Sequence, residues 1–394
     1  RYLICAALSK GKSVIEKPLI SDDTLATITV LRNLGAKIKI KKDKIIVRGI
    51  RKPKKKPISI TILESATTLR VLLPILVLFS KHVTINSSKR LIDRIYTNDI
   101  FALKGLDFQR KNITLTVSGN FSEKEITLSG KITSQLISGM LIALPFLGSD
   151  YTLKIIDTTF KNPYIALTLD AMKKFGIDFV IEGNTIKIKE GSKYLKQNVT
   201  VEGDFSNGAV WLAASYLHKD IEVCNLNLDS LQGDKEIITY FKMMGVDFTY
   251  ANYTFKYKQG KLTGNTFNIE ETPDLAPILV AIAYVASSNV IISGTEKLAY
   301  KESNRKLAIM EVVNSLGGCV KVKDDEIIIE GKEELKGGVI VNSYNDHRIV
   351  MATAILATIS KNPVVIKNVE AVNKSYPNFF NDLASLGCKF EVVE

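Results

Sequence analysis

The sequence predicts a mixed α/β protein of two domains, each built from three copies of one helix-and-strand unit. Three observations carry this. A short phrase recurs six times along the chain: an apolar helix end, a glycine, then two alternating strands. The six glycines, Gly35, Gly105, Gly176, Gly245, Gly317 and Gly387, are spaced 70, 71, 69, 72 and 70 residues apart. At 394 residues, the length suits two or three domains.

The phrase reads "LRNLGAKIKIKKDKIIVRG" around Gly35 and "MKKFGIDFVIEGNTIKI" around Gly176. It reads "VNSLGGCVKVKDDEIIIEG" around Gly317. Self-similarity at a fixed period marks internal repeats. The glycine fits a helix C-cap in the left-handed conformation. "KKDK", "IEGN" and "VKDD" fit hairpin turns between strands of period two. Each unit holds about two helices and three or four strands, too few to bury a sheet alone. Two sets of three give domains at 1–201 and 202–394, with "NVTVEGDFSNGAV" as the hinge. The chain begins at Arg1 without an initiator methionine, already in an apparent helix, and the sixth copy stops short of its second strand. An N-terminal segment before residue 1 is therefore expected.

Composition narrows the function classes. Apolar residues make up 46% and charged residues 24%, as in ordinary globular proteins. Apolar runs such as "VLLPILVLF" fall well short of the roughly 20 residues of a membrane span. Cys5, Cys224, Cys319 and Cys388 lack paired spacing, which suggests reduced thiols in a cytoplasm. His82, His218 and His347 are too dispersed for a metal cluster. "GKS" at Gly11 lacks the rest of a P-loop. The formal charge of +12 is compatible with nucleic acid, but the densest run, "RKPKKKP", has no interleaved aromatics. Attraction of small polyanions explains the same charge.

The helices ahead of the glycines open with polar residues: "SDD", "TND", "KNPY", "QGD", "KESN" and "KSYPN". Ser, Asp and Asn cap helices. That explains the acids and hydroxyls. It leaves Lys301, Arg305, Arg348 and Lys374 unexplained, because cations in a first turn oppose the helix dipole. They become favourable where an anion binds the helix N-terminus. Two domains facing each other would then make a cleft for a substrate carrying several negative charges.

The six-unit layout together with "KESNR", "YNDHR", "TSQ" (Thr133–Gln135), "NPYIALTLDAMKKFG" and "NKSYPNFF" closely resembles the 5-enolpyruvylshikimate-3-phosphate (EPSP) synthase family, in order and over the whole chain. The resemblance implies an inside-out α/β barrel in each domain, three βαβαββ units with helices inside. It implies transfer of the enolpyruvyl group of phosphoenolpyruvate to shikimate 3-phosphate, with no metal and no organic cofactor. It implies a cytoplasmic monomer that binds neither nucleic acid nor membrane. The related UDP-N-acetylglucosamine enolpyruvyl transferases share the fold but lack the KESNR and NDHR pair. They form the alternative reading, alongside a non-catalytic basic nucleic-acid-binding relative.

Site residues follow from the resemblance. Arg94, Gln135, Arg305, Arg348 and Lys374 would bind phosphoenolpyruvate, with Ala66 standing where the family usually has glycine. Arg1, Thr133, Ser134, Gln135, Lys161, Tyr164, Asp274, Lys297 and Lys301 would bind shikimate 3-phosphate. Lys161 and Lys297 replace a usual serine and asparagine. Asp274 would take the proton of the attacking hydroxyl, Glu302 would protonate the methylene carbon, and Lys301 lies beside them. Asp346 and His347 would support the site, and Arg70 would be structural.

Overall fold

The computed structural model describes residues 1–51, 56–62, 64–96, 98–331 and 334–393, with Asn98 and Asp99 described in their backbone alone. Most of the "RKPKKKP" run and the helix-start residue Thr97 lie outside the described residues. The chain forms two compact units, Arg1–Val201 and Glu202–Glu394. Each has its own apolar core.

In the first unit, three four-stranded sheets share one plan: a parallel pair followed by an antiparallel hairpin. Ile58–Thr61 runs parallel to His82–Asn86, which pairs with Thr114–Gly119, and Leu106–Lys111 forms the edge. Glu125–Ser129, Thr152–Ile156, Thr185–Ile188 and Phe179–Glu182 repeat the arrangement. Parallel neighbours need a crossover. The helices Ala66–Phe79 and Gln135–Leu147 supply it here. Both are apolar on nearly every side and almost wholly buried, as expected of helices inside a core. They pack on each other, with the sheets outside. The remaining sheet keeps the plan but draws its parallel strand from elsewhere. Lys12–Glu16 pairs with the hairpin of Lys44–Arg48 and Lys37–Lys41, but its parallel neighbour is Asn198–Thr200, from the far end of the unit.

The second unit repeats the full plan once, in Thr266–Asn268, Val290–Ser293, Glu326–Glu330 and Cys319–Lys323. Around it are a three-stranded sheet, Glu222–Val223, Thr254–Gly260 and Val246–Ala251, and two parallel strand pairs. Among the described residues no strand follows Gly387. The helices Phe205–His218, Ala276–Ala283 and His347–Ala357 are buried like their counterparts in the first unit. No closed barrel forms among the described strands.

Part of the positive charge serves the sheets. Lys37, Lys39 and Lys41 are exposed on an edge strand, where lysine discourages pairing with another chain. Among the described residues no helix is long and apolar enough to cross a membrane.

All six repeat glycines have positive φ, between 84° and 106°, where an L side chain is strained. Their surroundings differ. A Cβ on Gly35 would meet nothing within 4 Å, whereas one on Gly105 would lie 2.2 Å from the Asn120 carbonyl oxygen. Gly35→Ala should therefore destabilise the fold by about 1–2 kcal/mol, and Gly105→Ala by clearly more. Urea unfolding of the two variants checks this; equal losses would contradict it.

Candidate active site

Three helix starts and the end of one 3-10 turn of the second unit bring charged groups together. Asp274 lies in the 3-10 turn Pro273–Leu275 that leads into an inner helix. Arg305 is the first residue of Arg305–Ser315. Asp346 caps His347–Ala357, accepting the Arg348 N–H at 3.0 Å. Lys374 closes the 3-10 turn Val369–Lys374.

Arg305 is the hub. Its side chain is 1% exposed and meets three carboxylates. Nε donates to Asp346 Oδ2 at 2.8 Å, Nη1 to Asp274 Oδ1 at 2.7 Å and Nη2 to Glu302 Oε2 at 2.7 Å. A second ring of cations surrounds these acids. Lys301 Nζ is 3.2 Å from Asp274 Oδ1, and Arg348 Nη2 is 3.4 Å from Asp274 Oδ2. Lys374 donates to Glu302 Oε1 at 2.8 Å. Ser303 Oγ donates to Asp346 Oδ2 at 3.0 Å. Arg305 and Arg348, which oppose their helix dipoles, are thus neutralised by the protein's own carboxylates, whereas Lys301 and Lys374 lie not in a first turn but at the ends of 3-10 turns. Breaking a buried network of this kind at one partner costs about 3–5 kcal/mol.

The electrostatics separate the groups. Burial alone would raise Asp274, but Arg348, Lys301 and Arg305 outweigh it and hold the carboxyl well below the usual range. Asp346 is likewise lowered, its burial overcome chiefly by Arg305. Burial, then the Arg348 charge, pushes His347 down to about 3. Its ring is neutral at pH 7, with Nδ1 3.8 Å from Asp346 Oδ1.

Asp234 joins the cluster unannounced. In "QGD" it reads only as a helix-start acid. It is buried, accepts a bond from Ser206, and is pushed up to about 6 by burial and by Asp274, against the pull of Arg348. Lys297 goes elsewhere: its ammonium lies 3.2 Å from Glu270 Oε1.

In the first unit, Gln135 opens its inner helix and donates through Nε2 to Thr67 Oγ1 at 2.8 Å. Its Oε1 accepts from Arg70 Nη1 at 3.2 Å, and Arg70 Nη2 donates to the Arg94 carbonyl at 2.8 Å. Arg70 thereby ties Gln135 to the last turn of Lys89–Ile95, which carries Arg94. Ala66 is the buried first residue of Ala66–Phe79. Thr133 Oγ1 accepts the Gln135 N–H, and Ser134 sits at the N-cap without using its side chain there. Arg1 donates to Thr168 Oγ1 at 2.7 Å and to the Tyr164 carbonyl at 2.9 Å. Lys161 is exposed and bonds Thr159 through its backbone. Among the described residues no cluster of three or more His, Cys, Asp or Glu could hold a metal ion.

His347 makes the second unit sensitive to acid. An unfolded histidine takes up a proton near pH 6.5, the folded one only near 3. Acid therefore favours the unfolded chain by about 1.4 kcal/mol per pH unit within that window. Asp274 and Asp346 add stability present above the ordinary 3.8 and lost below it. Asp234, raised to about 6, works in the opposite sense to His347 between about 4 and 6. The difference between wild type and His347→Asn is thus the readout. Wild type should lose ground to the variant steadily from pH 6.5 to pH 4.5 in urea titrations; parallel curves would refute this.

The chain is similar to known proteins over nearly its whole length. The family model described as EPSP synthase (3-phosphoshikimate 1-carboxyvinyltransferase) matches residues 1–383. A Clostridium novyi protein named 3-phosphoshikimate 1-carboxyvinyltransferase is 37% identical, covering 98% of this chain and 92% of its own. A Clostridioides difficile protein of the same name is 34% identical, covering 99% and 93%. Among solved structures, an EPSP synthase from Acinetobacter baumannii has a TM-score of 0.78 at 22% identity, over 100% of this chain and 94% of that one. The enolpyruvyl transferase NikO from Streptomyces tendae has a TM-score of 0.73 at 15% identity, over 98% and 92%.

Proposed function

Because this chain belongs to the EPSP synthase family, we infer its reaction. It transfers the enolpyruvyl group of phosphoenolpyruvate to the 5-hydroxyl of shikimate 3-phosphate and releases phosphate, in the pathway to chorismate and the aromatic amino acids. The same reading makes it a cytoplasmic monomer acting on small anionic substrates.

The observation that supports the site assignment is the pair Asp274 and Glu302, both bonded to Arg305 and each paired with a further lysine. Addition needs one proton removed and one delivered. As the hydroxyl oxygen attacks the central carbon of phosphoenolpyruvate, its proton goes to Asp274. The methylene carbon takes a proton from Glu302. When phosphate departs, that carbon gives a proton up and the enol ether forms. Two carboxyls in one cationic cluster can hold different protonation states, which suits them to opposite duties.

Asp274 as held here is too weakly basic for that work, because Arg348 and Lys301 keep it ionised. Substrate anions on those two cations lift it toward a working base. Arginine forks suit carboxylate and phosphate, so Arg305, Arg348 and Lys374 are assigned to phosphoenolpyruvate in the second unit, and Arg94, Gln135 and Ala66 in the first. Arg1, Thr133, Ser134, Lys161 and Tyr164, with Gln135, are assigned to shikimate 3-phosphate, as are Asp274, Lys297 and Lys301. Asp346 holds Arg305 in place and caps the helix of Arg348, and His347 is assigned a supporting role beside it.

Phosphate release with shikimate 3-phosphate as acceptor tests the reaction; release with UDP-N-acetylglucosamine instead would overturn it. Asp274→Asn and Glu302→Gln should each lower kcat by about 10²–10⁴-fold. Wild-type turnover in either variant would remove that residue from its role.

Ala66 offers a separate test. Where the family usually has glycine, its methyl group narrows the phosphoenolpyruvate side. Glyphosate occupies that side and is slightly longer than the substrate. Overpacking costs about 1–3 kcal/mol, roughly one to two powers of ten in affinity. Ala66→Gly should therefore lower the glyphosate inhibition constant by about that factor. An unchanged constant would leave Ala66 as no more than a good helix starter.

A further inference from the structure

The hairpin turn of "VKDD" does more than connect its strands. Cys319–Lys323 and Glu326–Glu330 are joined by Asp324 and Asp325. The Asp325 carboxylate gathers three consecutive backbone N–H groups from the segment after Val290–Ser293. Oδ1 accepts from Thr295 N at 2.6 Å and Glu296 N at 2.8 Å, and Oδ2 from Gly294 N at 3.0 Å. The Thr295 hydroxyl adds a contact at 3.3 Å. Twelve residues on, Lys306 Nζ donates to the Asp324 carbonyl. One turn thus grips both ends of the segment that carries Lys297, Lys301 and Glu302.

The other repeats provide an internal control. There the second turn residue offers its backbone carbonyl to the neighbouring inner strand or the segment that follows it, and none of the four accepts backbone N–H groups through a side-chain carboxylate; Asn184 adds a side-chain amide bond to the Ile155 carbonyl at 3.0 Å. Lys17 N donates to Asp43 O at 2.9 Å, Ser87 N to Ile113 O at 3.0 Å, Ile155 N to Asn184 O at 2.9 Å, and Leu226 N to Tyr253 O at 3.0 Å. The carboxylate anchor occurs in the fifth repeat, the one whose segment presents Lys301 and Glu302. Asp43, at the matching place in the first repeat, points its carboxylate at none of those amides.

The segment needs such a hold. Its 3-10 turn Glu296–Tyr300 has no side-chain cap, and Lys301 then leaves it in extended conformation. The far end is fixed by Ser303 and Arg305 on Asp346. The near end has Asp325 and the buried Leu298 and Thr295. A charged acceptor for three amides makes bonds roughly twice as strong as neutral ones.

We propose that Asp325 is a positioning residue for the reaction, holding the Gly294–Ser303 segment so that Lys301 and Glu302 meet Asp274 and Lys374 in register. This rests on the roles inferred above for Lys301 and Glu302. Displacement of a reacting group by about 1 Å costs on the order of 10²-fold in rate, so a loosened anchor is read out in turnover.

The test compares Asp325→Ala, Asp325→Asn and the control Asp43→Ala with wild type, all assayed per folded molecule. Hydrogen exchange of the intact proteins should show the Gly294–Ser303 amides opening at least tenfold faster in Asp325→Ala. The kcat should fall ten- to hundredfold in that variant while the KM for phosphoenolpyruvate stays within threefold. Asp325→Asn keeps one acceptor oxygen and should recover part of both losses. Asp43→Ala should match wild type throughout. Unchanged exchange in Asp325→Ala overturns the proposal, and so does faster exchange with unchanged kcat. A wild-type protein that releases no phosphate overturns the reaction itself, and exchange then decides the anchor alone.

Discussion

The guanidinium of Arg305 is the constraint around which the second unit is arranged. A buried cation is tolerable only when its donors are matched. Here the acceptors come from three separate elements: Asp274 before one inner helix, Asp346 at the cap of another, and Glu302 on the segment just ahead. Once those are placed, Lys301, Lys374 and Arg348 follow as partners of the same acids. The proposed chemistry is carried by groups that also hold the helix starts together. Stability and activity therefore share residues, and few of these side chains are free to change for one purpose without the other.

The first unit reaches a comparable end by weaker means. Neutral amide and hydroxyl groups, Gln135, Thr67 and Thr133, are linked through Arg70 to the Arg94 backbone. Among the described residues of this unit no carboxylate is buried. Among the described residues, the buried carboxylate–arginine pairs lie in the second unit.

Much of this was legible in the sequence because it is periodic. Glycines about 70 residues apart announced the repeats, and each proved to have positive φ. Alternating strands and polar helix starts follow from local rules. What was hidden depends on contacts between distant residues. Arg305 reads as an anion binder, but its nearest anions include Asp346, 41 residues away. Asp234 and Asp325 read as a cap and a turn residue, which they also are. Their further contacts arise only once a helix or a segment from another part of the unit is brought against them. Lys297 and Lys161 carry a similar lesson, since charge alone does not say whether a lysine will find Glu270 or remain exposed.

The strand Asn198–Thr200 has a consequence for synthesis. It lies beside Lys12–Glu16, with Val14 opposite Asn198, so the first sheet borrows its fourth strand from the end of the unit. On a ribosome adding about 5–20 residues per second, that partner arrives roughly 10–40 s after Lys12–Glu16 has been made. Until then one side of this strand is an open edge, available to any other unpaired strand. The second and third sheets face no such wait, because each contains its own parallel pair. The unit is thus expected to mature out of chain order, its middle settling before its beginning.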